Sequence, residues 1–332
     1  MSYMQEPLKV KQVELKNRLV MPPMATSSTT DGTVNQKLLD YYQEKSAGGY
    51  ISLIITEHSY VHPQGIASPG QLSMSRDSDI EGLKKLVQTI QANGTKVIAQ
   101  INHAGSAASS KVTGMAAVSA SAVRNPAPSG RNGEMPQAMT REQIAQVVKD
   151  FAAAARRAKA AGFDGVEIHS AHGYLLDQFY SPLTNKRDDE YGAQTMEGRL
   201  RLHREIIEAV RAEVGQDYLV ALRLGGCDYQ EGGSTIDDSV EACLLLESYG
   251  VDLLDISGGM NGYMIPGRTE AGYFSEMTER IKEKVTVPVI LTGGITDIES
   301  AESLLAAGKA DLIGVGRAIL KDSLWAKSAM QG

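Results

Sequence analysis

The stretch Val166-Glu167-Ile168-His169-Ser170-Ala171-His172-Gly173-Tyr174 sets two histidines and a tyrosine at the end of a short apolar run. All three side chains donate hydrogen bonds, and an imidazole or a phenol can also deliver a proton. Placed where a strand gives way to a loop, they suit a site that grips a substrate oxygen and protonates it or its neighbour. A long polar run from Ser181 to Gly192 follows directly.

The elements that must position these groups alternate along the whole chain. Strand-like runs are Leu19 to Met21, Ile51 to Thr56, Val97 to Ile101, the Val166 stretch, Tyr218 to Leu224, Val251 to Ile256, Pro288 to Leu291 and Asp311 to Val315. They are short and mostly apolar, the pattern of strands covered on both faces. Helices are predicted over Gln36 to Ala47 and over Ile80 to Ala92, where Ile80, Leu83, Val87 and Ile90 recur at helical spacing. Capping boxes at Thr140-x-x-Gln143 and Thr235-x-x-Asp238 open two more, and Thr195 and Thr296-x-x-Glu299 mark further starts. Another helix is predicted near Glu270 to Lys284. His203 falls on the apolar stripe of the helix after Thr195 and reads as a packing histidine.

Eight strand-then-helix units predict a parallel sheet and match an α/β (β/α)8 TIM barrel with a long insertion after strand 3. The alternative, a doubly wound sheet, calls for a Gly-rich turn after its first strand if it binds a nucleotide; this chain has Pro22-Pro23-Met24 there. The insertion, Ala104 to Met139, is rich in Ala, Ser, Gly, Pro and Asn, and is long enough to carry a function or short elements of its own.

Chemistry in a barrel sits at the C-terminal strand ends. Those ends present Pro23, Met24 and Ala25; Glu57 and His58; Gln100 and His103; His169, His172 and Tyr174; Arg223; Ser257-Gly258-Gly259; Gly293-Gly294; and Gly316-Arg317. The glycines of the last two loops, with Arg317, suit a phosphate on helix N-termini, or else simple structural turns. Gln100 and Arg223 suit the edge of a planar heterocycle that gains negative charge on reduction. Arg223 could instead pair with Glu57 or Glu167. A phosphate at strands seven and eight with a heterocycle across the barrel mouth describes flavin mononucleotide.

The motif His169-x-x-His172-Gly173-Tyr174, with Ser181-Pro182-Leu183-Thr184-Asn185-x-Arg187-x-Asp189-x-Tyr191-Gly192 after it, resembles the signature of the Old Yellow Enzyme family. Asn17-Arg18-x-Val20-x-Pro22-Pro23-Met24, Gln100-x-x-His103-Ala104-Gly105 and Gly314-x-Gly316-Arg317 are similar too, so the likeness runs from about Leu15 to Trp325. It implies one FMN-binding barrel domain over residues 1–332, with an N-terminal segment 1–16 and the 104–139 loop capping the site. The cofactor-facing set it implies is Pro23, Met24, Ala25, His58, Gln100, Arg223, Ser257, Gly258, Gly293, Gly294, Gly316 and Arg317, with no metal. It further implies an NAD(P)H:flavin oxidoreductase, an ene-reductase. His169 and His172 would bind the carbonyl oxygen of an activated alkene, while Tyr174 protonates one carbon as the reduced flavin gives hydride to the other.

Three departures accompany the resemblance. Ala25 stands where relatives carry Thr or Cys near the flavin, so Thr26 or a water would have to supply that hydrogen bond. Ser27 replaces a substrate-contacting Tyr and would leave one wall open. No C-terminal arginine follows the last helix to reach a partner's site. Substrates left open are enones, enals, quinones, steroids and dienoyl thioesters. The sequence assigns neither nicotinamide preference nor oligomeric state, although barrels of this kind often self-associate.

The composition is that of a globular protein, 42% hydrophobic and 22% charged, with a formal charge of −7 that speaks against nucleic acid or an anionic membrane as partner. Two cysteines, Cys227 and Cys243, and a polar Met1 to Lys16 lead to the expectation of a cytoplasmic protein. Two rival readings are weighed. A metal-dependent hydrolase would use His169-x-x-His172, but the chain has no His-x-His at strand one. A flavin-storing or scaffold barrel leaves the polar triad unexplained.

Overall fold

The computed structural model describes residues 2–130 and 132–331; Met1, Arg131 within the insertion and Gly332 lie outside the described residues. Eight strands form the barrel: β1 Leu19–Met21, β2 Leu53–Ile55, β3 Lys96–Asn102, β4 Gly165–Ser170, β5 Leu219–Cys227, β6 Leu253–Gly258, β7 Val289–Thr292 and β8 Leu312–Gly314. Every neighbouring pair is parallel, and β8 pairs with β1 while β2 pairs with β3, so the sheet closes on itself. The predicted (β/α)8 barrel is what the chain forms.

Helices α1 Gln36–Ser46, α2 Ile80–Gln91, α3 Arg141–Ala161, α4 Arg201–Val214, α5 Ile236–Ser248, α6 Ser275–Lys282, α7 Ile298–Ala306 and α8 Arg317–Lys321 connect or follow the strands. The boxes at Thr140 and Thr235 form as read. Two starts differ. Asp297, not Thr296, caps α7, because its carboxylate accepts from the Ser300 amide. Helix α6 begins at Ser275 rather than Glu270, since Gly272 adopts φ 72° and breaks the backbone just before it. Thr195 caps only the short turn Met196–Arg199, after which α4 starts afresh.

Successive strand residues point to opposite faces. Outward side chains such as Val97, Ala99, Val166, Ile168, Leu222 and Ile256 pack beneath the helices in one large core. Inward side chains Val20, Leu53, Ile55, Ile98, Leu219, Ala221, Leu253, Ile290 and Leu312 form a second core inside the barrel. The N-terminal hairpin, Leu8–Val10 paired with Val13–Leu15, adds Val10, Val13 and Leu15 to that inner core and plugs the barrel's lower end. No helix among the described residues is long and apolar enough to cross a membrane.

Candidate active site

The inward positions change character toward the strands' C-terminal ends. On β3 Ile98 gives way to Gln100, on β5 Ala221 to Arg223, and on β6 Leu253 to Asp255 and Ser257. Strand register sets these polar groups side by side: Gln100 opposite Glu167, His169 opposite Arg223, Arg223 opposite Asp255. Above them opens a cavity of about 440 Å³.

That cavity gathers nearly every residue expected from sequence. Pro23, Met24, Ala25, His58, Gln100, His169, His172, Tyr174, Arg223, Ser257, Gly293, Gly294, Gly316 and Arg317 all line it. Gly258 does not. Its carbonyl accepts from the His172 amide at 3.3 Å, and a Cβ there would meet the Gly262 carbonyl at 2.2 Å, so it shapes the loop beneath the wall. Glu57 and His103 are also set back. The Glu57 carboxylate binds the Thr26 amide and hydroxyl at 2.8–3.0 Å, and His103 Nδ1 accepts from the Gly105 amide. His203 is buried against Ser170 Oγ at 2.6 Å, the packing role read from its helix.

The histidine-tyrosine cluster is tight. His169 lies 5.3 Å from His172 and 5.1 Å from Tyr174, ring centre to ring centre, and both pairs meet edge to face. His58 approaches Tyr174 at 5.6 Å, and Tyr263 approaches His172 at 6.1 Å. Burial holds His169 well below the ordinary imidazole range, with His172, Arg223 and His58 adding to it. Burial, then Arg223 and His58, does the same to His172. Both are therefore neutral near pH 7, each with one N–H to give. Burial pushes the Tyr174 phenol up to about 12, so it stays protonated.

His172 and Gly173 adopt left-handed conformations, with φ 61° and 72°. For a histidine that is uncommon and must be held by its surroundings. The insertion does the holding: Ser129 Oγ donates to the His172 carbonyl at 2.7 Å, and Asn125 Nδ2 donates to the Gly173 carbonyl at 2.7 Å. From the barrel side, the Gly173 amide donates to Asp177 Oδ2 and Gln178 Nε2 donates to the Gly173 carbonyl, both at 2.6 Å. A Cβ on Gly173 would lie 2.3 Å from that of Ala127, so only glycine fits. The polar run after Tyr174 is structural. Arg187 donates to the Ala120 and Met139 carbonyls and ties the insertion to the barrel.

At the floor of the cavity Arg223 lies over two carboxylates, Asp255 and Glu167. Arg223 pairs with Asp255 at 3.1 Å, not with Glu57 or Glu167 as weighed from sequence, because Asp255 is its register partner on β6. Gln100 Nε2 donates to Glu167 Oε1 at 2.7 Å. Burial raises the Glu167 carboxyl to about 8, with Asp255 pushing the same way and Arg223 opposing. Asp255 is raised to about 6 by burial against the pull of Arg223. Asp255 had a signal in the sequence: it is an ionisable residue inside the apolar run Leu253 to Ile256.

The cavity also includes Tyr263, Tyr273, Phe274, Thr292 and Ile295, which the strand-end list lacked. The tyrosines come from an irregular loop with no periodicity to place them; Tyr273 Oη donates to the Tyr263 carbonyl at 2.7 Å. Thr26 does not stand in for the side-chain donor that the resemblance expects at position 25, since its hydroxyl donates to Glu57.

These groups fit FMN. Gly293 and Gly294 have φ 141° and 68°, and a Cβ on either would lie within 2.7 Å of the Tyr273 ring or the Glu270 carbonyl, so both positions require glycine and present bare backbone to the cavity. Arg317 makes no salt bridge among the described residues, only a 3.9 Å contact to Met264 Sδ, and so has charge to offer an anion.

The family model for NADH:flavin oxidoreductases and NADH oxidases matches residues 4–332. The chain belongs to this NADH:flavin oxidoreductase family. It is 38% identical over 331 residues to an NADH oxidase of Thermoanaerobacter brockii, covering 98% of this chain and 50% of that one, so it spans about half the length of that relative. An NADPH dehydrogenase of Clostridium acetobutylicum is 36% identical over 324 residues, with 96% and 92% covered. The solved Old Yellow Enzyme homologue of Zymomonas mobilis superposes with a TM-score of 0.83 at 29% identity, covering 96% and 90% of the two chains. The resemblance read from the strand-four motif is therefore correct: the chain is a barrel of the Old Yellow Enzyme type, in a family whose members use FMN with NAD(P)H.

Proposed function

We propose that this member of the family reduces the activated C=C bond of an α,β-unsaturated carbonyl compound, with His169 and His172 binding the carbonyl oxygen and Tyr174 giving the proton. The observation that carries the reading is the cluster of two neutral imidazoles and one protonated phenol on a single cavity wall. Bound FMN would supply hydride taken from NAD(P)H.

The residues' tasks follow from their protonation. A neutral imidazole N–H strengthens its hydrogen bond as negative charge develops on the carbonyl oxygen, and a water-poor wall magnifies that gain. His172 Nε2 lies 2.8 Å from Ser257 Oγ, which fixes the ring while Nδ1 remains for the oxygen. Tyr174 lines the cavity, and its Oη makes no hydrogen bond within the described residues. Its proton is thus free for the α-carbon, next to the carbonyl, while the β-carbon takes the hydride. Gln100 and Arg223 would face the cofactor's polar edge; Gly294, Gly316 and Arg317 would face its phosphate.

Residues 1–332 act in this proposal as one cofactor-binding domain, and the free thiols Cys227 and Cys243 suit a reducing compartment such as the cytoplasm. Tyr174→Phe tests it. The variant should bind FMN and be bleached by NADH or NADPH as the wild type is, while reoxidation by cyclohexenone slows about 100-fold or more, the usual worth of a general acid. Unchanged reoxidation would remove Tyr174 from the reaction, and a wild type that cyclohexenone does not reoxidise would leave a flavin-storing barrel.

A further inference from the structure

We infer that His58 is the hydrogen-bond donor that the first two strands present to the flavin, and that Gln71 fixes the tautomer that makes it one. The inference rests on the FMN reading above and assigns His58 a task of its own.

The wall that β1 contributes carries no side-chain donor: Pro22, Pro23, Met24 and Ala25 line it. The neighbouring Thr26 hydroxyl is bound by Glu57 at 2.8 Å and 3.0 Å. From the segment after β2, His58 is the polar side chain that reaches the same cavity.

Its tautomer follows from its neighbours. The Ala67 amide donates to the Gln71 side chain at 2.7 Å, and a backbone N–H can only donate, so the atom it meets is the amide oxygen. The amide nitrogen of Gln71 therefore faces His58, where it donates to the His58 carbonyl at 3.0 Å and lies 2.7 Å from Nδ1. A carbonyl can only accept, which fixes the same orientation independently. Nδ1 must then be the acceptor, and in a neutral ring the proton sits on Nε2. Nε2 has no hydrogen-bond partner among the described residues. Burial, with Arg223 adding to it, holds His58 down at about 4, so the ring carries an N–H and no charge.

A flavin gains electron density on reduction, so a fixed N–H against it favours the reduced form. The wall that Pro22 to Ala25 leave without a side-chain donor thus receives one from the segment after the adjacent strand, held by Gln71, which does not itself line the cavity.

The test is the midpoint potential of FMN bound to the intact protein, measured by equilibration with reference dyes. His58→Leu should shift the oxidised-to-reduced equilibrium about tenfold toward the oxidised form, about 30 mV lower for a two-electron couple. Gln71→Leu keeps the ring but frees its tautomer, and should shift the equilibrium the same way by a few-fold. His58→Gln retains an N–H and should stay within twofold of wild type. Because the donor is neutral, the shift should be the same at pH 6 and pH 8. A wild-type potential in both His58→Leu and Gln71→Leu overturns the inference, as does a shift that grows as pH falls, which would mean a charged ring. If His58→Leu fails to retain FMN, Gln71→Leu and His58→Gln decide by the same criteria. A wild type that takes up no FMN overturns the flavin reading itself, and this inference with it.

Discussion

The inner faces of the same strands hold two unlike layers. The lower one, Val20, Leu53, Ile55, Ile98, Leu219, Ala221, Leu253, Ile290 and Leu312, is apolar and plugged by the hairpin. The upper one, Gln100, Glu167, His169, Arg223, Asp255 and Ser257, is just as buried yet polar throughout. Two residues along a strand separate them. A buried apolar layer stabilises in proportion to the area removed from water, whereas buried charges recover their desolvation only through partners. The upper layer thus gives up stability for a surface that can bind a charged, redox-active ring, and the lower layer supplies what it gives up.

The comparison is most open to attack at Arg223. Arg223→Met leaves Asp255 and Glu167 without their cation and should cost about 3–5 kcal/mol. The loss should be smaller at pH 5 than at pH 8, because both carboxyls can then take up protons; equal loss at both pH values, in urea unfolding, would show that the charges do not set the energetics of this layer. Leu253→Ala, one position below Asp255 on the same face, should cost about 3 kcal/mol through the cavity it leaves. That loss should not depend on pH, and the flavin spectrum should stay as in wild type. A spectrum as altered as that of the Arg223 variant would merge the two layers into one.

A third test, Glu167→Gln, has an effect that depends on pH. The Glu167 carboxyl is raised from its ordinary 4.5 to about 8 in the folded chain. An unfolded chain releases this proton at lower pH than the folded one, so wild type loses stability as pH rises through that window, and below it the group has no effect. The variant has no such proton. Its unfolding midpoint should match wild type's near pH 4.5 and exceed it increasingly toward pH 8. A difference that shrinks with rising pH would mean that Glu167 is ionised and held by Arg223.

Most of the barrel was legible because its signal is local. A strand covered on both faces must be apolar nearly throughout, and the Leu19, Ile51, Val97 and Val251 runs announce themselves in a few residues. The hairpin was not legible. Each of its strands is only three residues long, with Lys9 and Glu14 facing solvent, and their apolar partners make sense only against a barrel that does not yet exist in the sequence. The site divides the same way. Strand-end residues could be listed because closure brings all strand ends to one rim, whereas Tyr263, Tyr273 and Gln71 arrive from loops whose paths depend on tertiary packing. Gly258 shows the limit from the other direction: it lies at the rim, yet its neighbours need it for the turn.

Two carbonyls of the His172–Gly173 turn accept from Ser129 and Asn125, both in the 104–139 segment. The insertion and one of the pocket's histidines are therefore not independently exchangeable. Grafting that segment from a relative also replaces the clamp on His172, and the graft keeps the conformation of that turn only if the donor segment brings an amide and a hydroxyl to the same two carbonyls.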